Sequence, residues 1–242
     1  MNKLALALFG FALGAVGCVP YEEDPYYEED ALITGEWSFH NIAGGSDTRT
    51  GCPAGFGTVR MISQPVDSRL APIGEPFIDL FDCLDGRHTS ALLPPDVYQV
   101  WLEVVTDNNS SLYAQSTSKI VDVIERDALF SAQIINDGGY FLLDWQLRGS
   151  MSNSTLSCTG IDSVEILSTL SGSTEAVGDK FRCGDGSGLT AGLLNGSYTL
   201  SVAALGADNR AIGTAPAQTN KAIRDRNQVT DLGLITIPID GR

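Results

Sequence analysis

Basic residues are scarce in this chain: 15 Lys and Arg face 30 Asp and Glu among 242 residues, for a formal net charge of −15. Nucleic-acid binding rests on basic patches that release counterions from phosphates, so these thin, scattered cations exclude that partner. Histidine is scarcer still, with only His40 and His88, and no two cysteines stand in a C-x2-C pair. Structural zinc wants such close ligand spacing, so no metal or other cofactor is expected. The longest apolar run falls short of the ~20 residues a membrane-spanning helix needs. G-x-S-x-G, a G-x-G-x-x-G opening a helix and G-x-x-x-x-G-K-[ST] are all missing, so the local signatures of a serine hydrolase, a dinucleotide site and a phosphate loop are absent. Beyond the N-terminal apolar run, no stretch sustains a 3.6-residue period over three turns.

What is present is an ordinary globular balance, 43% hydrophobic and 19% charged, in a chain long enough for one or two domains. MNKLALALFGFALGAVGC begins with Lys3, runs apolar from Leu4 to Val16 and ends in small residues before Cys18. This is the layout of a secretory signal peptide. The tetrad Ala15-Val16-Gly17-Cys18 resembles the lipobox of bacterial lipoproteins. The resemblance implies cleavage before Cys18, a diacylglycerol thioether on its sulfur and a fatty acyl chain such as palmitate on the new amine. Two or three acyl chains anchor stably where one does not, at about 0.8 kcal/mol per buried CH2. By the same resemblance, Val19 rather than Asp after the cysteine favours the outer membrane.

VPYEEDPYYEEDA follows, with six carboxylates, two prolines and no basic residue between positions 19 and 31. Such a segment repels itself and cannot build a core, so it reads as an extended tether reaching about 40 Å at ~3.3 Å per residue.

The rest of the chain repeats. FDCLDG at Phe81–Gly86 returns as FRCGDG at Phe181–Gly186. Around it, Trp37 pairs with Trp145, Cys52 with Cys158, and Val59-Arg60-Met61 with Val164-Glu165-Ile166. LPPDVY from Leu93 pairs with LNGSY from Leu194, TDNN at 106–109 with ADN at 207–209, and AQIINDG with TIPIDG. YQVWLEVV, YTLSVAAL, FSAQII and LGLITIPI are β-branched and aromatic runs separated by DNNS, DNR, DGG and GDGSG turns. Only KAIRDRNQVTDL suggests a helical turn. Two copies of about 105 residues, each with about seven short strands, predict an all-β protein of two tandem immunoglobulin- or prealbumin-like β-sandwiches. The expected organisation is a signal peptide at 1–17, lipidated Cys18 with the tether at 18–31, repeat 1 at 32–137 and repeat 2 at 138–242. LPPDVYQVWLEV and LNGSYTLSVAA resemble the LPxGxYxVxV hairpin of carboxypeptidase-regulatory-like and Cna-B-like domains, and that resemblance implies the prealbumin-type sandwich.

With Cys18 assigned to lipid, four cysteines remain, two per copy, in a chain bound for an oxidising compartment. Cys52 with Cys83 and Cys158 with Cys183 is the pairing that respects the repeat. Loops of about 31 and 25 residues would each contribute roughly 3 to 4 kcal/mol in the chain-entropy treatment. No catalytic or cofactor-binding residue is assigned, and the protein is not expected to be an enzyme. The expected role is an envelope lipoprotein held to the membrane by its N-terminal lipid and presenting two sandwiches to an unknown envelope protein or glycan. Calcium binding is an alternative, through Asp85, Asp107, Asp185 and Asp208 with Asn108, Asn109 and Asn209, although tight turns ask for the same residues. Glycan binding is another, and Trp101, opposite Ser201, is its freer aromatic because Trp37 and Trp145 match as core residues. A hydrolase whose site forms only in the fold ranks below both.

Overall fold

A computed structural model describes residues 30–43 and 48–240; the signal peptide, Cys18 and the tether through residue 29 lie outside the described residues. The first repeat comprises β1 (Ile33–Asn41), β2 (Thr48–Thr50), β3 (Thr58–Pro65), β4 (Phe77–Asp82), β5 (Arg87–Thr89), β6 (Val97–Val105), β7 (Leu112–Gln115), β8 (Lys119–Asp122) and β9 (Ala128–Ile135). The second comprises β10 (Gly138–Gly149), β11 (Thr155–Leu156), β12 (Ser163–Leu170), β13 (Ala176–Arg182), β14 (Ser187–Leu189), β15 (Leu193–Leu194), β16 (Gly196–Leu205), β17 (Ala211–Thr214), β18 (Gln218–Ile223) and β19 (Gln228–Ile239).

Each repeat is a sandwich of two sheets. In repeat 1, β1 lies between β9 on one side and the short β2 and β5 on the other, while β4, β3 and β6 run in order and β7 and β8 share the far side of β6. Repeat 2 copies this with β10 beside β19 and with β13, β12 and β16 followed by β17 and β18. Alternation makes the layers: along VYQVWLEVV, Tyr98, Val100, Leu102 and Val104 are buried while Gln99, Trp101 and Glu103 face outward. Two separate cores result, one around Trp37, Met61, Tyr98 and Phe130, the other around Phe141, Trp145, Ile166 and Tyr198.

In each repeat the first and last strands pair in parallel, Ile33 to His40 against Ala128 to Ile135 and Gly139 to Gly149 against Gln228 to Ile239. A chain closed in this way enters a sandwich at one end and leaves at the other. The junction between the repeats is short and fully bonded. Asn136 N–H donates to His40 O (2.8 Å), the Asn136 side-chain amide donates to Asn41 Oδ1 and Thr50 Oγ1, and Tyr113 OH donates to its Oδ1 (3.2 Å). Asp137 accepts from the Ile42 and Ala43 amides. From the other repeat, Asn227 accepts the Ile135 amide at its Oδ1 (2.7 Å) and donates from Nδ2 to Gln115 O (3.0 Å). Asn227 is 2% exposed and sits at φ 59°, a left-handed conformation that Asn tolerates better than most residues.

Two readings of the sequence change. KAIRDRNQVTDL holds no helix: β18 ends at Ile223, Arg226 and Asn227 turn the chain with positive φ, and β19 follows. Single 3-10 turns stand instead at Cys83–Asp85 and Cys183–Asp185. The tyrosine hydroxyls correct the alignment as well. Tyr98 donates to Pro94 O (2.8 Å) and Tyr198 to Leu194 O (2.7 Å), so Leu93 matches Leu193 without a gap.

Asn227→Ala should leave the buried Ile135 N–H and Gln115 C=O unpaired and strain the left-handed turn, at a cost of roughly 2 to 4 kcal/mol. Calorimetry is expected to show one transition in the wild type and two in the variant; Asn227→Gly, which relieves φ but not the hydrogen bonds, should split it as well.

Candidate functional site

The repeated hexapeptide is the centre of a shared local unit. Asp82 Oδ1 caps the first turn by accepting the Leu84 amide (2.8 Å), and Gly86 closes it at φ 66°. Cys83 is buried within it and bonded to Cys52, 31 residues away; Cys183 is bonded to Cys158 across 25. Trp37 holds the turn twice, donating from Nε1 to Cys83 O (2.9 Å) and from its amide to Gly86 O (2.9 Å). Trp145 does the same to Cys183 O (3.0 Å) and Gly186 O (2.9 Å). Phe81 and Phe181 lie against these indoles at 6.0 and 5.9 Å, and His88 stacks on Phe81 at 4.4 Å. The cysteines and matched tryptophans are therefore scaffold, each bonded to a neighbour that the repeat supplies.

The aspartates singled out from the sequence separate into different places. Asp85 lines a hollow of about 420 Å3 with Glu36, Arg49 and Arg87, where Arg87 and Glu36 form an ion pair at 3.2 Å. Asp185 accepts the Arg182 amide (3.1 Å). Asp107 accepts the Gly57 amide (3.1 Å), and Asp208 accepts that of Arg210 (3.2 Å). These last two are not equivalents. Asn109 N–H bonds to Thr106 O and Asn209 N–H to Gly206 O, so Asn108 matches Asp208, and Asp107 matches Ala207. Asn109 and Asn209 both stand at positive φ, and both accept a cation at Oδ1, from Arg60 Nη1 (3.0 Å) and Lys180 Nζ (2.8 Å). Asn108 Oδ1 accepts from the hydroxyls of Thr106 and Ser110 (both 2.7 Å). Among the described residues, no three His, Cys, Asp or Glu side chains gather as metal ligands. His40 Nε2 lies 3.0 Å from Ser38 Oγ.

Trp101 lies on the outward face of β6, in register with Ile62 of β3, and donates from Nε1 to Glu103 Oε1 (3.1 Å). Glu103 also pairs with Arg60 through its other oxygen, with Arg60 Nε at 2.8 Å. This polar trio fixes the ring in one orientation.

The structure adds a residue pair that sequence reasoning missed. Asp79 and Asp179 point inward from β4 and β13, the edge strands of their sheets, and each Oδ1 accepts one loop amide, Ala91 N (3.0 Å) and Ala191 N (2.9 Å). Each Oδ2 is buried without a hydrogen bond. Burial pushes the Asp179 carboxyl above its ordinary range, with the Ala191 amide partly offsetting this. The signal was legible as D-x-F-x-C at 79 and 179. Beside β4 lies a second hollow, about 500 Å3, lined by Leu80, Asp82, Leu84, Asp107 and Asn109 among others.

No family model matches this chain, and no curated protein does. Similar solved structures include a leucine-rich repeat protein from Bacteroides thetaiotaomicron (7% identity, TM-score 0.37, 88% of this chain and 27% of that one). The Bacillus anthracis TIE protein is another (12%, 0.29, 87% and 34%), as is the fimbrial anchor protein Mfa2 from Porphyromonas gingivalis (9%, 0.31, 78% and 82%). The chain thus spans about a quarter to a third of the first two. At these scores the likenesses carry no argument about function.

In the folded state Asp179 keeps its proton to higher pH than in the unfolded chain. Its contribution therefore favours folding below the ordinary carboxylate range and is lost as pH rises through the folded value. Urea unfolding at pH 4 and pH 7 should show the stability of wild type relative to Asp179→Asn greater at pH 4; an unchanged difference would refute the assignment.

Proposed function

We propose that this protein is an exported, non-enzymatic envelope lipoprotein, anchored through Cys18 in the outer membrane and projecting two β-sandwiches for binding or structural assembly. The observation that carries this reading is the parallel pairing of first and last strands in both repeats. At ~3.3 Å per residue, the nine residues of β1 span about 30 Å and the twelve of β10 about 40 Å. Ala31, bonded to Leu93, lies at the end of repeat 1 remote from the Asn136 junction, and Asp240 follows the far end of β19. The tether thus joins one extremity and repeat 2 occupies the other, the arrangement of a projecting module. Two disulfides, one per repeat, suit an oxidising compartment. The residues that the repeat duplicates, the cysteines and tryptophans, are engaged in holding its turns, which favours scaffold over catalysis.

Metabolic labelling with palmitate and density fractionation of membranes test the anchor. Wild type should carry the label and sediment with outer membrane, and Cys18→Ser should be unlabelled and soluble; unlabelled wild type would sink the lipoprotein reading.

A further inference from the structure

The two repeats differ most where repeat 1 exposes apolar surface. Seven of the sixteen large apolar side chains exposed among the described residues fall between positions 70 and 92, on or beside the edge strand β4. Five of them have direct counterparts in repeat 2: Phe77 corresponds to Val177, which is also exposed, whereas Ile78 (54% exposed), Leu80 (56%), Leu84 (79%) and Leu92 (61%) correspond to Gly178, Lys180, Gly184 and Gly192. The strand registers make these pairs equivalent, Ile62 facing Ile78 as Leu167 faces Gly178, and Arg60 facing Leu80 as Glu165 faces Lys180. Repeat 2 therefore builds the same edge, turn and loop without any of the four apolar side chains, so the fold itself does not require them. It also places a lysine outward on its edge, the usual protection against strand addition.

Among the described residues β4 pairs only with β3, which leaves the alternate N–H and C=O groups of its other side open to a further strand. Ile78 and Leu80 would then meet outward side chains of the added strand. At the end of β4, the hollow of about 500 Å3 carries Asp82 and Asp107 together with Leu80 and Leu84, and no cation lines it. That combination fits a Lys or Arg side chain two positions after an apolar one, on the same face of the added strand. It disfavours a second copy pairing antiparallel through the same edge, because Phe77–Asp82 supplies no Lys or Arg to meet those carboxylates. It also disfavours residues 19–31 of this chain, which hold six acids and no base.

We infer that β4 is a docking edge for an extended segment of another protein, with alternating apolar residues flanked by Lys or Arg, added as a further strand. This rests on the reading of the protein as a binding module and names its partner's chemistry. The test uses the protein in solution with three synthetic heptapeptides: Lys-Thr-Val-Thr-Val-Thr-Lys, which sets its valines and lysines on one face, its Glu-flanked counterpart and a version with a central Pro. The Lys-flanked peptide should bind and slow amide exchange in Phe77–Asp82 while leaving Ala176–Arg182 unchanged. The Glu-flanked and Pro forms should bind at least about tenfold more weakly, since one loses charge complementarity and the other a ladder hydrogen bond. Ile78→Gly with Leu80→Lys, which copies the residues of repeat 2, should fold and lose the peptide by a similar factor. Absence of binding, protection elsewhere, indifference to the double variant, or β4-mediated dimers seen by sedimentation would each overturn the inference. None of these outcomes depends on the lipid, so failure here and failure of the palmitate experiment are separable.

Discussion

Parallel pairing between the first and last strands of each repeat is the constraint on which the rest of the molecule depends. Once Ile33–Asn41 lies beside Ala128–Ile135 in the same direction, the chain must leave the sandwich at the end opposite its entry. The next repeat then has to begin where the first one stops. An antiparallel closure would return both ends to one pole and fold the repeats back on themselves. Here the first sandwich and the second follow in order, each entered at the end where the one before it stops.

The same closure makes the junction demanding. Only Asn136 and Asp137 separate β9 from β10, and their polar groups must find partners within both repeats at once. Asn227 answers that demand from 92 residues away, using a left-handed turn to aim one amide at the Ile135 N–H and at Gln115 O. Arg226 beside it places its guanidinium over the Tyr113 ring at 5.2 Å. Burial holds the Tyr113 hydroxyl above its usual range, while the arginine acts the other way. The linker is thus a bonded joint and not a loose hinge.

Internal duplication also serves as a control within one chain. Features present twice, the Trp-held cysteine turn, the Asp79 and Asp179 hooks and the Tyr98 and Tyr198 hydroxyl bonds, are what this sandwich needs in order to form. Features present once are free to serve something else. The apolar side chains around β4 are the largest such difference, and the Arg60–Glu103–Trp101 trio is another, replaced by Glu165, Ala203 and Ser201.

Much of this was legible before the fold. Strand runs, the two copies and the two-by-two cysteines are local or repeated patterns, and a period of two residues leaves its mark directly in sequence. Burial of Trp37 and Trp145 followed from their matched places, but their bonds to the Cys83 and Cys183 carbonyls did not. That contact joins residues 46 and 38 positions apart, and no spacing rule encodes it. The apparent equivalence of Asp107 and Asp208 failed because short motifs can slide by one residue until a turn hydrogen bond sets the register. What the sequence by itself determined is the β texture and the duplication, since side-chain alternation and turn chemistry act over a few residues. Which strand stands at an edge, which direction the closing strand runs, and therefore that Ile78 and Leu80 face solvent beside open backbone groups, only the tertiary structure decided. Edge and direction are relations between segments far apart in the chain, set by which partner each strand finds.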